Sequence, residues 1–446
     1  MLALASTVVV VPSSVLGQGS GPVFPPSVVL TNYDRVLVGE EEALEAGAFV
    51  ARVGDSTSGW YNPAGMMLVD KTVIGGSGTG FETDVLTLSG VQKSGGGFSI
   101  GQLPSFLGVV VGRDAINLEH WRFGFSITKP VSWSQSIAGG TAATERFDYS
   151  STVSLNTLLP AFSAAFGPLP CLRFGVGVGI AATSLSEEQT LSGQLTTATT
   201  ANAFLRSLNA SGSVWNLTFN VGGQWDILEN LVLGVTVRFP GVKILSSGSL
   251  VYQNVDNNGT PWSNVFFRDR EAAFDYQLPL DVTFGLGWHS AIFALEADVR
   301  FHSAISDYTL LSSQNQVQVT TTGPGGLPVS TQQPFPGVTN GAKAIWNWAV
   351  GGRVNISDAW SLHAGFFSDY SPTTASGQNL FRSVNMYGAT LGARVKGEHF
   401  SGSFGLGFDW GSSQTFAFGD PASGAVISTK LNIRSFSLLY ALTYAF

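Results

Sequence analysis

The chain has a single cysteine, Cys171, in 446 residues. That excludes an internal disulfide framework and any thiolate cage for a metal. Charge is scarce too: 12% of residues are Asp, Glu, Lys or Arg, about half the ~25% usual in soluble domains. The balance is acidic, with a net charge of −8 and a pI near 5.1, so there is no basic face to hold nucleic acid. No stretch reaches the ~18 consecutive apolar residues of a membrane-spanning helix. Histidines number five and none sits in an evident nucleophile–base arrangement, so neither an enzyme nor a cofactor is expected.

What the chain does have is alternation. Glycine is abundant, at 54 residues, and mean hydropathy is +0.21 despite the missing apolar runs. In the last residues, Phe436, Leu438, Tyr440, Leu442, Tyr444 and Phe446 share one face of a strand, and Ser437, Ala441, Thr443 and Ala445 share the other. The same period recurs from about residue 120 onward, for example at Phe174, Val176, Val178 and Ile180 against Arg173 and three glycines. Each run approaches the ~9–11 residues that cross a bilayer as a tilted strand. Trp121, Trp215, Trp225, Trp288, Trp346, Trp348, Trp360 and Trp410 stand at or near run ends, as interfacial girdles require. The fold class expected is therefore all-β, an antiparallel transmembrane barrel (residues 69–446) in the outer membrane of a diderm bacterium. Residues 1–18 read as a secretory leader, although no Lys or Arg precedes Arg35.

Turns such as Ile227–Asn230 and Asn355–Asp358 are short, whereas Glu187–Ser213, Val255–Arg270 and Leu310–Gly341 are long polar insertions. The stretch 309–339 reads as an extended surface loop and 186–210 as a loop able to form short amphipathic helices. The segment 19–68 does not fit the strands. Glu40–Phe49 is acidic and helix-like, and Asn62-Pro-Ala-Gly65 is turn chemistry. A segment of this kind ahead of a barrel is most economically a plug within it.

Val53-Gly-Asp-Ser-Thr-Ser-Gly-Trp-Tyr-Asn-Pro-Ala-Gly-Met66 resembles the hatch motif of the outer-membrane protein transport family, which holds the long-chain fatty acid transporter and the toluene and xylene uptake channels. Thr157–Pro160, Leu278-Pro279, Gly341–Ala344, Ser357–Gly365 and Asp369–Pro372 are similar to further family stretches, in family order from about Gly47 to Phe446. The resemblance implies a barrel of about fourteen strands with an N-terminal hatch. It also implies passive uptake of fatty acids or hydrocarbons by loop capture, an apolar interior pocket, hatch rearrangement and lateral release.

On that resemblance Asn62, Pro63, Ala64 and Gly65 are gating candidates, or a buried turn and no more. Lys343 stands where the family carries a base that pairs with a fatty acid carboxylate, and is otherwise a loop lysine. Leu191, Leu195, Phe204, Leu205 and Leu208 are candidates for the capture groove or simple loop packing. Gly101, Pro104 and Gly108 mark a strand kink that opens the wall, or a plain strand start. Glu296, Asp298, Arg300 and His302 share one strand face over about 13.6 Å, too far apart to ligate one metal, and read as a charge ladder lining the lumen. Expected partners are the hydrophobic substrate, outer-membrane lipid with lipopolysaccharide, and the barrel assembly machinery that reads the strand ending in Phe446. The chain is expected to be a monomer. The alternative is a general diffusion porin for small polar solutes.

Overall fold

The computed structural model describes residues 32–34, 36–88, 96–99, 105–116, 118–142, 145–196, 201–257, 262–335, 337–374, 384–412, 416–419, 426–429 and 431–446. The expected leader, the start of the expected plug, Gly101 and Pro104 lie outside them. No helix among the described residues is long and apolar enough to cross a membrane. The chain instead forms a closed antiparallel barrel of 14 strands. It closes where the strand Val73–Leu88 pairs with Leu431–Ala445, from Val73 opposite Ala445 to Leu88 opposite Leu431.

The period-two pattern explains the wall. Along Leu172–Thr196, Phe174, Val176 and Val178 are exposed while Arg173, Gly175, Gly177 and Gly179 are buried. In water such an outward row would forfeit about 1.5–3 kcal/mol per large side chain; in lipid it does not. Trp121, Trp215, Trp225, Trp346 and Trp360 all point outward. Trp121 packs on Phe166 with ring centroids 4.9 Å apart.

Four strands far exceed a bilayer crossing: Trp121–Ala142, Glu145–Leu169, Leu172–Thr196 and Ala201–Leu228, of 22, 25, 25 and 28 residues. They continue beyond the outer girdle. This corrects the loop reading of 186–210, because Leu172–Thr196 and Ala201–Leu228 stay paired from Leu172 opposite Trp225 to Thr196 opposite Ala201. Phe204, Leu208, Ala210 and Val214 are buried together. A spacing of four fits a helix turn and also two strand repeats, and here the strand wins. The stretch 309–339 is likewise mostly strand: Gln316–Thr322 pairs with Trp262–Phe274 and with Pro328–Pro334. The extension encloses an apolar core in which Phe267 and Phe335 stack at 4.6 Å.

Residues 36–69 run inside the barrel. Their hydrogen-bond partners lie on strands all round the wall, from Ser77 through Gln224, Thr236 and Glu296 to Thr390 and Ser401. Glu40–Phe49, expected to be helix-like, is a succession of turns with left-handed backbone at Gly39, Ala46 and Gly47. Glu40, Glu41 and Glu45 reach Arg394, Arg353 and His363, which stand on three different wall strands.

Candidate functional site

The segment is locked to the wall by exchanged charges. Glu40 meets Arg394 Nε at 2.6 Å and accepts from Ser401 Oγ at 2.9 Å. Glu41 pairs with Arg394 at 2.5 Å and with Arg353. Glu45 lies 2.8 Å from His363 Nδ1 and pairs with Arg52. In return Glu296 accepts from Ala51 N–H at 2.6 Å and Arg52 N–H at 3.1 Å, and Asp298 accepts from Phe49 N–H at 3.1 Å. Asp34 sits between Arg300 at 3.2 Å, His302 at 2.9 Å and the Asn347 amide at 2.6 Å. The four-residue ladder read from the sequence is thus lumenal: Glu296 and Asp298 accept from the segment through side-chain oxygens, while Arg300 and His302 hold Asp34.

These groups titrate accordingly. Burial works to raise the Glu41 carboxyl, but Arg394 and Arg353 outweigh it and hold it at about 2. Asp34 is held well below the usual carboxylate range by His302 and Arg300, against its burial. Glu42 goes the other way: burial, with the Asp55 carboxylate close by, pushes it well up. Thr57 Oγ1 bridges the two acids, 2.8 Å from Glu42 Oε1 and 2.6 Å from Asp55 Oδ1. Glu41, Glu45 and His363 bring ligand atoms within 4.8 Å of one another. Arg52, Arg353 and Arg394 already neutralise those carboxylates, which leaves no charge to attract a cation.

The Asn62-Pro-Ala-Gly65 turn is a docking knot. Asn62 Oδ1 accepts from Ala64 N–H at 3.1 Å, capping the short 3₁₀ turn Pro63–Leu68, while Nδ2 donates to Val50 O and Gly223 O, each at 2.9 Å. Pro63 opens that turn, where no N–H is needed. A methyl at Gly65 would stand 2.2 Å from Val53 O, and one at wall residue Gly222 would stand 2.1 Å from Asn62 Oδ1. Glycines of the wall are therefore the notches into which the segment's backbone fits.

On the segment rests a cavity of about 150 Å³, with Val36, Leu37 and Trp60 below and Val131, Leu159, Tyr276 and Leu278 around it. Arg238 also lines it. Arg238 contacts Asp281 at 3.1 Å and donates to Trp60 O at 2.7 Å, while its Nε is buried without a partner. Beneath the segment lies a polar pocket lined by Glu41, Arg52, Asp55, Arg173, Asp226 and Arg353.

The candidates separate as follows. Asn62, Pro63, Ala64 and Gly65 are buried in the knot. Phe204 and Leu208 join the apolar core of the extension, Leu205 is half-buried on the same strand, and the side chains of Leu191 and Leu195 lie outside the described set. Lys343 is exposed, does not line the cavity, and donates its backbone N–H to Pro372 O. Gly108 lies in a paired strand, with the Phe106 ring and Ser56 O occupying the space of a side chain. Arg238 reads from the sequence as a lumen-lining arginine; its contact with Trp60, 178 residues earlier, does not.

A family model described as Outer membrane protein transport protein (OMPP1/FadL/TodX) matches residues 38–382. Among solved structures, the chain is similar to a FadL homologue of Pseudomonas aeruginosa, at 15% identity and a TM-score of 0.62, over 93% of this chain and 100% of that one. It is also similar to the toluene transporter TodX of Pseudomonas putida, at 13% identity and a TM-score of 0.55, over 93% and 100%. A third likeness is to the toluene transporter TbuX of Ralstonia pickettii, at 13% identity and a TM-score of 0.54, over 93% and 99%. At these identities the likeness speaks for the fold. No curated protein matches the sequence.

Proposed function

The chain belongs to the outer membrane protein transport family and is a β-barrel of the Gram-negative outer membrane, and from that premise we propose that it admits hydrophobic small molecules passively past a hatch formed by residues 36–69. The observation that carries this reading is the apolar cavity seated on a segment that fills the lumen. A cavity of ~150 Å³ accepts a benzene-sized group, which suits one aromatic ring or one end of a longer chain continuing into the apolar extension. Burying about 200 Å² of such a ligand contributes roughly 5 kcal/mol, enough to draw it from water without an energy source. The extension captures the molecule, the cavity holds it, and rearrangement of the hatch around Asn62–Gly65 lets it leave sideways.

Arg238 rather than Lys343 is the base placed to meet a carboxylate, because it lines the cavity with a free Nε. Phe446, exposed at the end of the closing strand, supports recognition by the assembly machinery. The barrel works as a monomer among lipid and lipopolysaccharide. Uptake of labelled oleate and toluene by cells carrying the protein tests the reading. Large steady ion currents with no hydrophobic uptake would mark a diffusion porin and refute it.

A further inference from the structure

The lipid-facing side of the closing strand carries a cation at its upper end. Tyr444 and Phe400 stand opposite each other beside a short turn, with ring centroids 5.3 Å apart, and mark the lower girdle. Ten residues of a strand tilted by ~40° span about 26 Å, the height of an apolar band. Ten residues up from Tyr444 is Arg434, which therefore stands at the outer water interface. It points away from the lumen, because Phe436, Tyr440 and Leu442 of the same parity are exposed on that face.

A continuous row of rings leads to it across the strands Ile345–Asn355, Trp360–Asp369, Asn385–Lys396, Phe400–Ser412 and Leu431–Ala445. Trp348 stacks on Phe366 at 5.4 Å, Phe366 meets Trp410 at 5.6 Å, and Tyr387 lies 6.3 Å from Trp410. Trp410 stacks on Phe408 at 5.3 Å, and Phe408 meets Phe436 at 4.7 Å. Arg434 is directly across from Trp410 in the ladder. Below the pair, Phe436, Leu406 and Phe404 are exposed on the same face. The cation is uncommitted: Arg434 is exposed, and among the described residues no hydrogen bond or ion pair holds its guanidinium. Its neighbours in the register, Trp410, Ser412, Asn432 and Val85, carry no charge. Lys243, near the height of the outward Trp215 on another part of the wall, is by contrast already 3.3 Å from Asp275 Oδ1. A free guanidinium beside an aromatic face suits a phosphate next to a sugar ring: the fork binds phosphate oxygens, and the C–H face of the sugar packs on the indole.

We propose that Arg434 and the ring row form a binding site for one lipopolysaccharide molecule. The guanidinium takes a glucosamine phosphate, Trp410 and Tyr387 take the disaccharide, and the acyl chains run down over Phe436, Leu406 and Phe404. Phosphate, sugar and several acyl chains in that vertical order are what this lipid brings to the outer leaflet, whereas a glycerophospholipid such as phosphatidylglycerol lacks the sugar. The lipid would bridge Phe400–Ser412 and Leu431–Ala445, next to the pairing that closes the barrel. The inference rests on the outer-membrane location and is independent of what the cavity carries.

The test titrates the full chain in detergent with bisphosphorylated lipid A, monophosphorylated lipid A and phosphatidylglycerol, counting bound lipid by native mass spectrometry. Arg434→Gln should weaken the first bound bisphosphorylated lipid A about tenfold and narrow its advantage over the monophosphorylated form. Trp410→Leu should weaken both forms of lipid A alike. Neither substitution should change phosphatidylglycerol binding or the melting point of the lipid-free barrel. Equal affinity of bisphosphorylated lipid A for the unsubstituted protein and both variants overturns the site. Phosphatidylglycerol binding the unsubstituted protein as tightly as lipid A also overturns it, marking an ordinary lipid annulus.

Discussion

Removing the Glu296 carboxylate should release the hatch while leaving the barrel closed. The side chain is fully buried and accepts from Ala51 N–H at 2.6 Å, Arg52 N–H at 3.1 Å and Arg52 Nε at 3.0 Å. Glu296→Ala strands two backbone donors, at about 1–3 kcal/mol each. It also takes away one of the two carboxylates that neutralise Arg52, and breaking such a buried pair costs about 3–5 kcal/mol. Water entering the gap relieves part of this, which leaves a loss on the order of 5 kcal/mol. The backbone of Glu296 keeps its ladder partners Gly287 and Gly351, so the wall should survive. Amide exchange over residues 49–53 should accelerate by about a hundredfold or more, since each 1.4 kcal/mol is tenfold. Single-channel conductance in planar bilayers should rise from near zero to open-pore values. Exchange and conductance both equal to the unsubstituted protein would refute the idea that this carboxylate anchors the hatch.

Gly222→Val should disturb the same hatch from the wall side, because its first carbon would stand 2.1 Å from Asn62 Oδ1; a rise in conductance with an unchanged barrel melting point checks it. Arg238→Gln should lower oleate uptake about tenfold, roughly 1.4 kcal/mol, and leave toluene uptake alone, read by paired uptake assays. A pH dependence follows from Glu42, whose carboxyl is raised by burial and the nearby Asp55. The docked hatch holds a proton there that the released hatch gives up, so docking is strongest at acidic pH and weakens as pH climbs toward the raised value. Glu42→Gln, which mimics the protonated acid, should flatten that loss when amide exchange over 39–57 is compared at pH 6 and pH 9.

How far the fold was legible depended on whether a residue's surroundings are written beside it in the chain. Lipid-facing strands were readable because Phe174, Val176 and Val178 contrast with the glycines between them. Above the girdle that contrast fades: along 183–189 the interior takes Thr183, Glu187 and Gln189 as well as Leu185, while Ser184, Ser186 and Glu188 face outward, so strand looked like loop. The hatch turn was readable because Asn62 and Pro63 form a local cap, but the partners of Glu296 and Asp298 were not, since Ala51 and Phe49 lie about 245 residues earlier. The gap in strand pairing between Gly248 opposite Ala272 and Arg238 opposite Asp281 belongs to a third kind. An unpaired edge leaves no periodicity of its own, yet Pro240-Gly241 and Leu278-Pro279 lie between strands, in the stretches where pairing stops. From the sequence alone, Leu278-Pro279 reads only as a stretch similar to the family's. A proline cannot donate to a ladder, and Pro240 and Pro279 both stand outside the paired strands.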